Sequence, residues 1–153
     1  MNIQLKKLKQ GRRRFIKTAP LANPLDWMTE LAQLKEWIAL STQFQIVGRK
    51  TFFEVVGNEL SLMVEVVGVP RNLDQNRLIL MDLEALETYV YDFSGADLFS
   101  VQFESVLVTS AKIRKALGVG ENRLHDVTHL VFDEEKIALH FFRQKDYSQN
   151  LLS

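Results

Sequence analysis

An α+β fold is what this sequence predicts: a mainly antiparallel sheet covered by an N-terminal amphipathic helix and a short second helix, preceded by a basic arm. Three observations predict it. Trp27, Leu31, Leu34 and Ile38 recur at helical spacing. From Gln43 onward the apolar pattern changes to period two, with turn residues between the runs. The first seventeen residues carry seven cations and no acid. The expected organisation is a basic arm over 1–22, one α+β domain over 23–145 and a polar tail over 146–153. With 153 residues, 46% of them hydrophobic, the chain has enough apolar material for one core of ordinary size.

The cations of the arm are Lys6, Lys7, Lys9, Arg12, Arg13, Arg14 and Lys17, and the first acid is Asp26. Net charge is zero, so the remainder of the chain is acidic, with twelve cations against nineteen acids. Gly11-Arg12-Arg13-Arg14-Phe15-Ile16-Lys17 resembles a twin-arginine export signal, but the short, Pro-broken stretch Thr18–Pro24 is no apolar region of the kind export needs. A mitochondrial presequence would be basic too, yet this segment lacks Ser and Gly11 interrupts any helix. What stands is an arm that meets nucleic acid or an acidic protein surface, set against an arm that is solvated or folds back on its own acidic domain.

Asn23-Pro24-Leu25-Asp26 reads as a helix start, with a capping side chain, Pro in the first turn and an acid beside the positive helix end. The helix ends near Leu40 and is flanked by Met28 and Trp37. Phe44 and Ile46 then open the period-two region. Residues 51–56 and 59–67 form a hairpin about Gly57-Asn58, a dipeptide suited to a two-residue turn. That register sets Val56 opposite Glu59, Phe53 opposite Leu62 and Lys50 opposite Glu65. Pro70 closes the strand and Arg71–Asn76 is a polar turn. Further on, a strand at 78–81, a short helix at 83–87 and a strand at 88–93 are expected, then a turn at Ser94–Asp97.

Val101–Val108 reads as a central strand with two apolar faces. Thr109-Ser110 would cap a short basic helix, Ala111–Leu117, stopped by Gly118. Lys112, Arg114 and Lys115 give that helix its charge, but it has no adjacent partner helix of the helix-turn-helix kind. A last hairpin pairs Val127–Phe132 with Ile137–Phe142 around Asp133–Lys136, and the tail from Gln144 is polar.

The absence of cysteine excludes disulfides, zinc ribbons, iron–sulfur ligation and thiol catalysis. No apolar run approaches the roughly twenty residues of a membrane span, and no membrane partner is expected. In the last hairpin His129 faces His140, and His125 lies four residues before His129. Imidazoles on one strand face could hold Zn²⁺ or Ni²⁺ with a carboxylate; the alternative is three half-exposed strand histidines. No G-x-S-x-G elbow is present, and Gly118-Val119-Gly120 opens no phosphate loop. Asp92-Phe93-Ser94-Gly95-Ala96-Asp97 resembles the Asp-x-Ser-x-x-Gly signature of PilZ domains, which bind a cyclic dinucleotide. Asp97 departs from it at the glycine position, and Arg12–Arg14 lie about eighty residues upstream, much farther than the arginine motif of that family. A turn after a strand accounts for the hexapeptide.

The expected function is a non-catalytic binding or accessory protein, one subunit of a larger assembly, with no cofactor and a cytoplasmic location. Its basic arm would contact nucleic acid or an acidic protein. Two alternatives are an inhibitor or immunity-type protein whose acidic body binds a basic partner, and a histidine-dependent metal enzyme.

Overall fold

Asn23 starts the first helix as its side chain suggests: Oδ1 accepts from the Leu25 N–H at 3.1 Å. A 3₁₀ turn, Pro24–Asp26, leads into α1, Trp27–Leu40, which buries Trp27, Leu31, Leu34 and Ile38. The computed structural model describes residues 3–40, 44–68, 73, 77–93, 102–117, 120, 123–134 and 136–152.

Before α1 lie β1 (Lys6–Gln10) and β2 (Arg13–Lys17). After it come β3 (Phe44–Ile46), β4 (Thr51–Val56), β5 (Glu59–Gly68), β6 (Ile79–Leu83) and β7 (Leu86–Phe93). Then follow α2 (Phe103–Leu117), β8 (Leu124–Asp133), β9 (Lys136–Arg143) and β10 (Gln149–Leu152). All the described pairings are antiparallel, in the order β1-β7-β9-β8-β4-β5-β2-β6-β10, with β3 also on β5.

Residues 6–17, set apart in the sequence as an arm, are two strands of this sheet. The apolar pair at their end is the reason: Phe15 and Ile16 are both fully buried, one on each face. The register runs on across the break, since Gln10 faces Leu86 and Arg13 faces Leu83. β1–β2 and β6–β7 are therefore two long strands lying side by side, each bent between its halves. Leu83 and Leu86 enter the same apolar cluster, which strict alternation would forbid. Glu84-Ala85 is the corner. Because the ends of the strand order are joined through that corner, the sheet rolls up.

Ring contacts establish which face is inside. Phe15 on β2 and His129 on β8 are separated by three strand spacings, about 14 Å across a flat sheet. Their ring centroids lie 6.0 Å apart. The face bearing Phe15, Phe52, Met63, Met81, Val131 and Phe142 is therefore concave, the interior of a barrel. The other face is convex and carries the larger cluster beneath α1 and α2. There Trp27 stacks on Phe132 at 6.1 Å and meets Phe53 edge-on at 5.6 Å, while Phe103 of α2 packs on Phe53 at 5.3 Å.

The Gly57 hairpin has the expected register, Val56 with Glu59 and Phe53 with Leu62, and Gly57 adopts φ 59. The pairing stops at Phe52–Met63, however, and Glu65 faces Phe15 instead of Lys50. The last hairpin pairs His129 with His140 as read. Three expectations fail. The helix at 83–87 is replaced by the β6–β7 corner, because pairing with β1–β2 holds the backbone extended on both sides of it. The strand at 101–108 is helical from Phe103, and Val106, Ser110 and Ile113 form its buried stripe, so the second helix is fifteen residues long and not short. Ser110 sits within this helix, where its Oγ and the Arg114 guanidinium bond at 2.6 Å, and caps nothing. The polar tail ends in β10, bonded to β6. The turns expected at 71–76 and 94–97 fall outside the described residues, Leu73 excepted. Among the described residues no helix is long and apolar enough to cross a membrane.

Candidate functional site

Strand alternation sorts the seven N-terminal cations onto different surfaces. On the convex side, Arg14 grips Asp82 with Nε to Oδ1 at 2.7 Å and Nη2 to Oδ2 at 3.0 Å. Arg12 adds a third bond to Oδ2 at 2.8 Å, and Arg14 Nη1 donates to the Gly68 carbonyl at 3.0 Å. The Asp82 side chain is almost wholly enclosed. The Arg14 bonds, helped by Arg12 and opposed by burial, hold its carboxyl below the usual carboxylate range, and the same contact raises Arg14.

The odd-numbered cations of β2 turn inward. Lys17 Nζ bonds both carboxylate oxygens of Glu54, at 3.0 and 3.2 Å, and both side chains are nearly buried. Arg13 lies over the Phe15 ring at 5.3 Å, with Nε and Nη2 buried and without hydrogen-bond partners among the described residues. Burial lowers its pKa, with Glu65 and Tyr147 pulling the other way.

β1 is different. Lys6 pairs with Asp92 at 2.8 Å in an exposed contact. Lys7 and Lys9 are exposed and have no ion pair among the described residues. Glu87 stands opposite Lys9 but accepts from the Tyr89 hydroxyl at 3.0 Å.

Of the three histidines only His125 is half-exposed; His129 and His140 are buried. His129 is fully enclosed between Phe15 and Phe142, the latter ring 4.8 Å away, and neither ring nitrogen has a partner among the described residues. Burial, then Arg13, His140 and Lys17, push its pKa well below the ordinary value. Burial, aided by Arg13 and Lys50 against Asp92, lowers His140 to about 4. Both rings are therefore neutral at neutral pH. A register shift between Leu124 and Thr128 diverts His125. Its Nδ1 accepts from the Val127 N–H at 2.9 Å, and its ring packs 4.1 Å from Tyr147. Burial lowers its pKa as well. Asp126, the nearest acid in sequence, is exposed, 4.0 Å from Arg123. Among the described residues no three His, Asp or Glu side chains come together as metal ligands.

Two clefts accompany these groups. One, of about 280 Å³, is lined by Arg12, Arg13, Arg14, Glu65 and Asp82, whose two acids offset two of the three guanidiniums. The other, of about 400 Å³, runs between α1 and Thr18–Ala22, with Leu21, Leu34 and Trp37 in its wall and Glu30 and Arg77 also lining it. Sequence reasoning missed Asp82, Glu54 and Tyr147. Asp82 lies just before the helix expected at 83–87, and only its long-range pairing with β2 reveals its use. No protein-family model matches the chain, and no curated protein matches it.

Proposed function

We propose that the protein is a non-catalytic binding or accessory subunit whose basic N-terminal ladder meets an acidic protein surface, with nucleic acid as the weaker candidate. One observation supports this most: among the described residues Lys7 and Lys9 stay exposed without an ion pair, while Arg12, Arg14 and Lys17 are held by Asp82 and Glu54. Four cations out of seven are committed to the fold or buried in it. The three lysines of β1 would displace few counterions from DNA, a log–log salt slope of about −3 at most, against about −6 for a free seven-charge arm. A shallow charged surface of this size suits an acidic protein better than a phosphate backbone.

The test is a titration with poly-glutamate, duplex DNA and RNA from low to moderate salt, on the native chain and on Lys7→Glu/Lys9→Glu. Poly-glutamate should bind at low salt and lose affinity in the variant. Binding that survives the variant, or DNA binding with a slope near −6, would overturn the reading. Removing residues 1–17 is no substitute, because it deletes Phe15, Ile16 and two strands of the barrel.

A further inference from the structure

The bent double strand has four flanks. β9 lies along β7, β10 along β6 and β5 along β2. β1 has β7 on one side and, among the described residues, no strand on the other. An edge of this kind presents unpaired backbone N–H and C=O groups. The equivalent edge of β6 is filled by the chain's own Gln149–Leu152, so strand addition to this ladder already occurs once within the molecule.

We propose that the open edge of β1 takes an extended acidic segment of a partner protein as an additional antiparallel strand. This rests on the reading of an acidic protein partner given above. The edge is firmly held: five residues of β1 pair with β7, and Ile3 and Leu5 pack against the convex core just before it. Its side chains specify the occupant. Lys7 and Lys9 project from one face, while Leu8, 44% exposed, projects from the other. A strand laid alongside would place residues two apart against the two lysines, and the residue between them against Leu8. Acid–apolar–acid is the complementary pattern. A second copy of β1 is the wrong occupant, since antiparallel self-pairing sets lysine against lysine.

Two peptides of about ten residues separate strand addition from plain charge attraction. One alternates Glu and Val; the other keeps every Glu but carries Pro in place of the central Val residues. The first should bind at least about tenfold more tightly. It should slow amide exchange in β1 and lose binding in Lys7→Glu/Lys9→Glu. Equal binding of both peptides would overturn strand addition and leave the acidic-partner reading intact. If neither these peptides nor poly-glutamate binds, both fall. A dimer formed through β1 without peptide would overturn the choice of occupant.

Discussion

The two faces of the rolled sheet are buried by different chemistry. The convex face is closed by apolar residues, Trp27, Phe53, Leu62, Leu130 and Phe132 among them, under two helices. The concave face mixes Phe15, Phe52 and Phe142 with Lys17, Glu54, Arg13, His129 and His140. An apolar wall is indifferent to pH and tolerates exchange of like for like. A polar interior depends on each group keeping its partner or its neutral state. Outside the Asp82–Arg14 cluster the convex face is apolar, while the concave face carries most of the buried ionisable groups.

The largest effects should come from breaking one element of each face. Phe53→Ala on the convex side should cost about 3–5 kcal/mol through the cavity left under Trp27 and Phe132. Glu54→Ala inside should cost a similar amount, about 3–5 kcal/mol, for a different reason: Lys17 is left nearly buried and unpaired. Replacing both members, Lys17→Met with Glu54→Leu, should recover most of that loss, within about 1–2 kcal/mol of the native chain. Urea denaturation reads all three. If the double variant is as unstable as Glu54→Ala, the interior ion pair has a role beyond mutual neutralisation.

A smaller effect follows from the histidines and exists on the concave face alone. His129 and His140 have folded pKa values below the unfolded value of 6.5, His140 at about 4. The unfolded chain therefore binds more protons as pH drops below 6.5, and stability present above that pH is lost on the way down to the folded value. For His140 the loss is about 3 kcal/mol between pH 6.5 and pH 4. His140→Phe should flatten that part of the pH–stability profile while changing little near neutrality. Asp82, held low by Arg14 and Arg12, acts in a lower window: its contribution is present above its unfolded pKa and lost as pH falls through its depressed folded value. Smallest of all, Lys7→Glu/Lys9→Glu should move stability by no more than about 0.5 kcal/mol, since both side chains are exposed. That near-neutrality is what makes the variant a clean probe of binding.

The sequence disclosed what is encoded locally and hid what depends on distant pairing. Helix α1, the Gly57 hairpin and the His129–His140 register are each set by residues within a short span. The stretch 101–108, read as a strand with two apolar faces, misled because Val106 lies on a helical stripe with Ser110 and Ile113. Charge count masked the two N-terminal strands: lysine and arginine surround Phe15 and Ile16, and nothing nearby shows that Asp82 and Glu54 will meet Arg14 and Lys17. The seven N-terminal cations stand out as a cluster in the sequence. Their division into committed and uncommitted charges required the register with β6 and β7.

The double strand that closes the barrel also governs when the barrel can exist. Residues 6–10 find their partner only after 86–90 have been made, residues 13–17 only after 63–65, and β6 keeps a bare edge until 149–152 arrive. So many distant pairings imply slow folding, on the order of milliseconds to seconds. During synthesis the first strands emerge long before anything can pair with them. Their cluster of seven like charges then keeps two nascent chains from joining edge to edge.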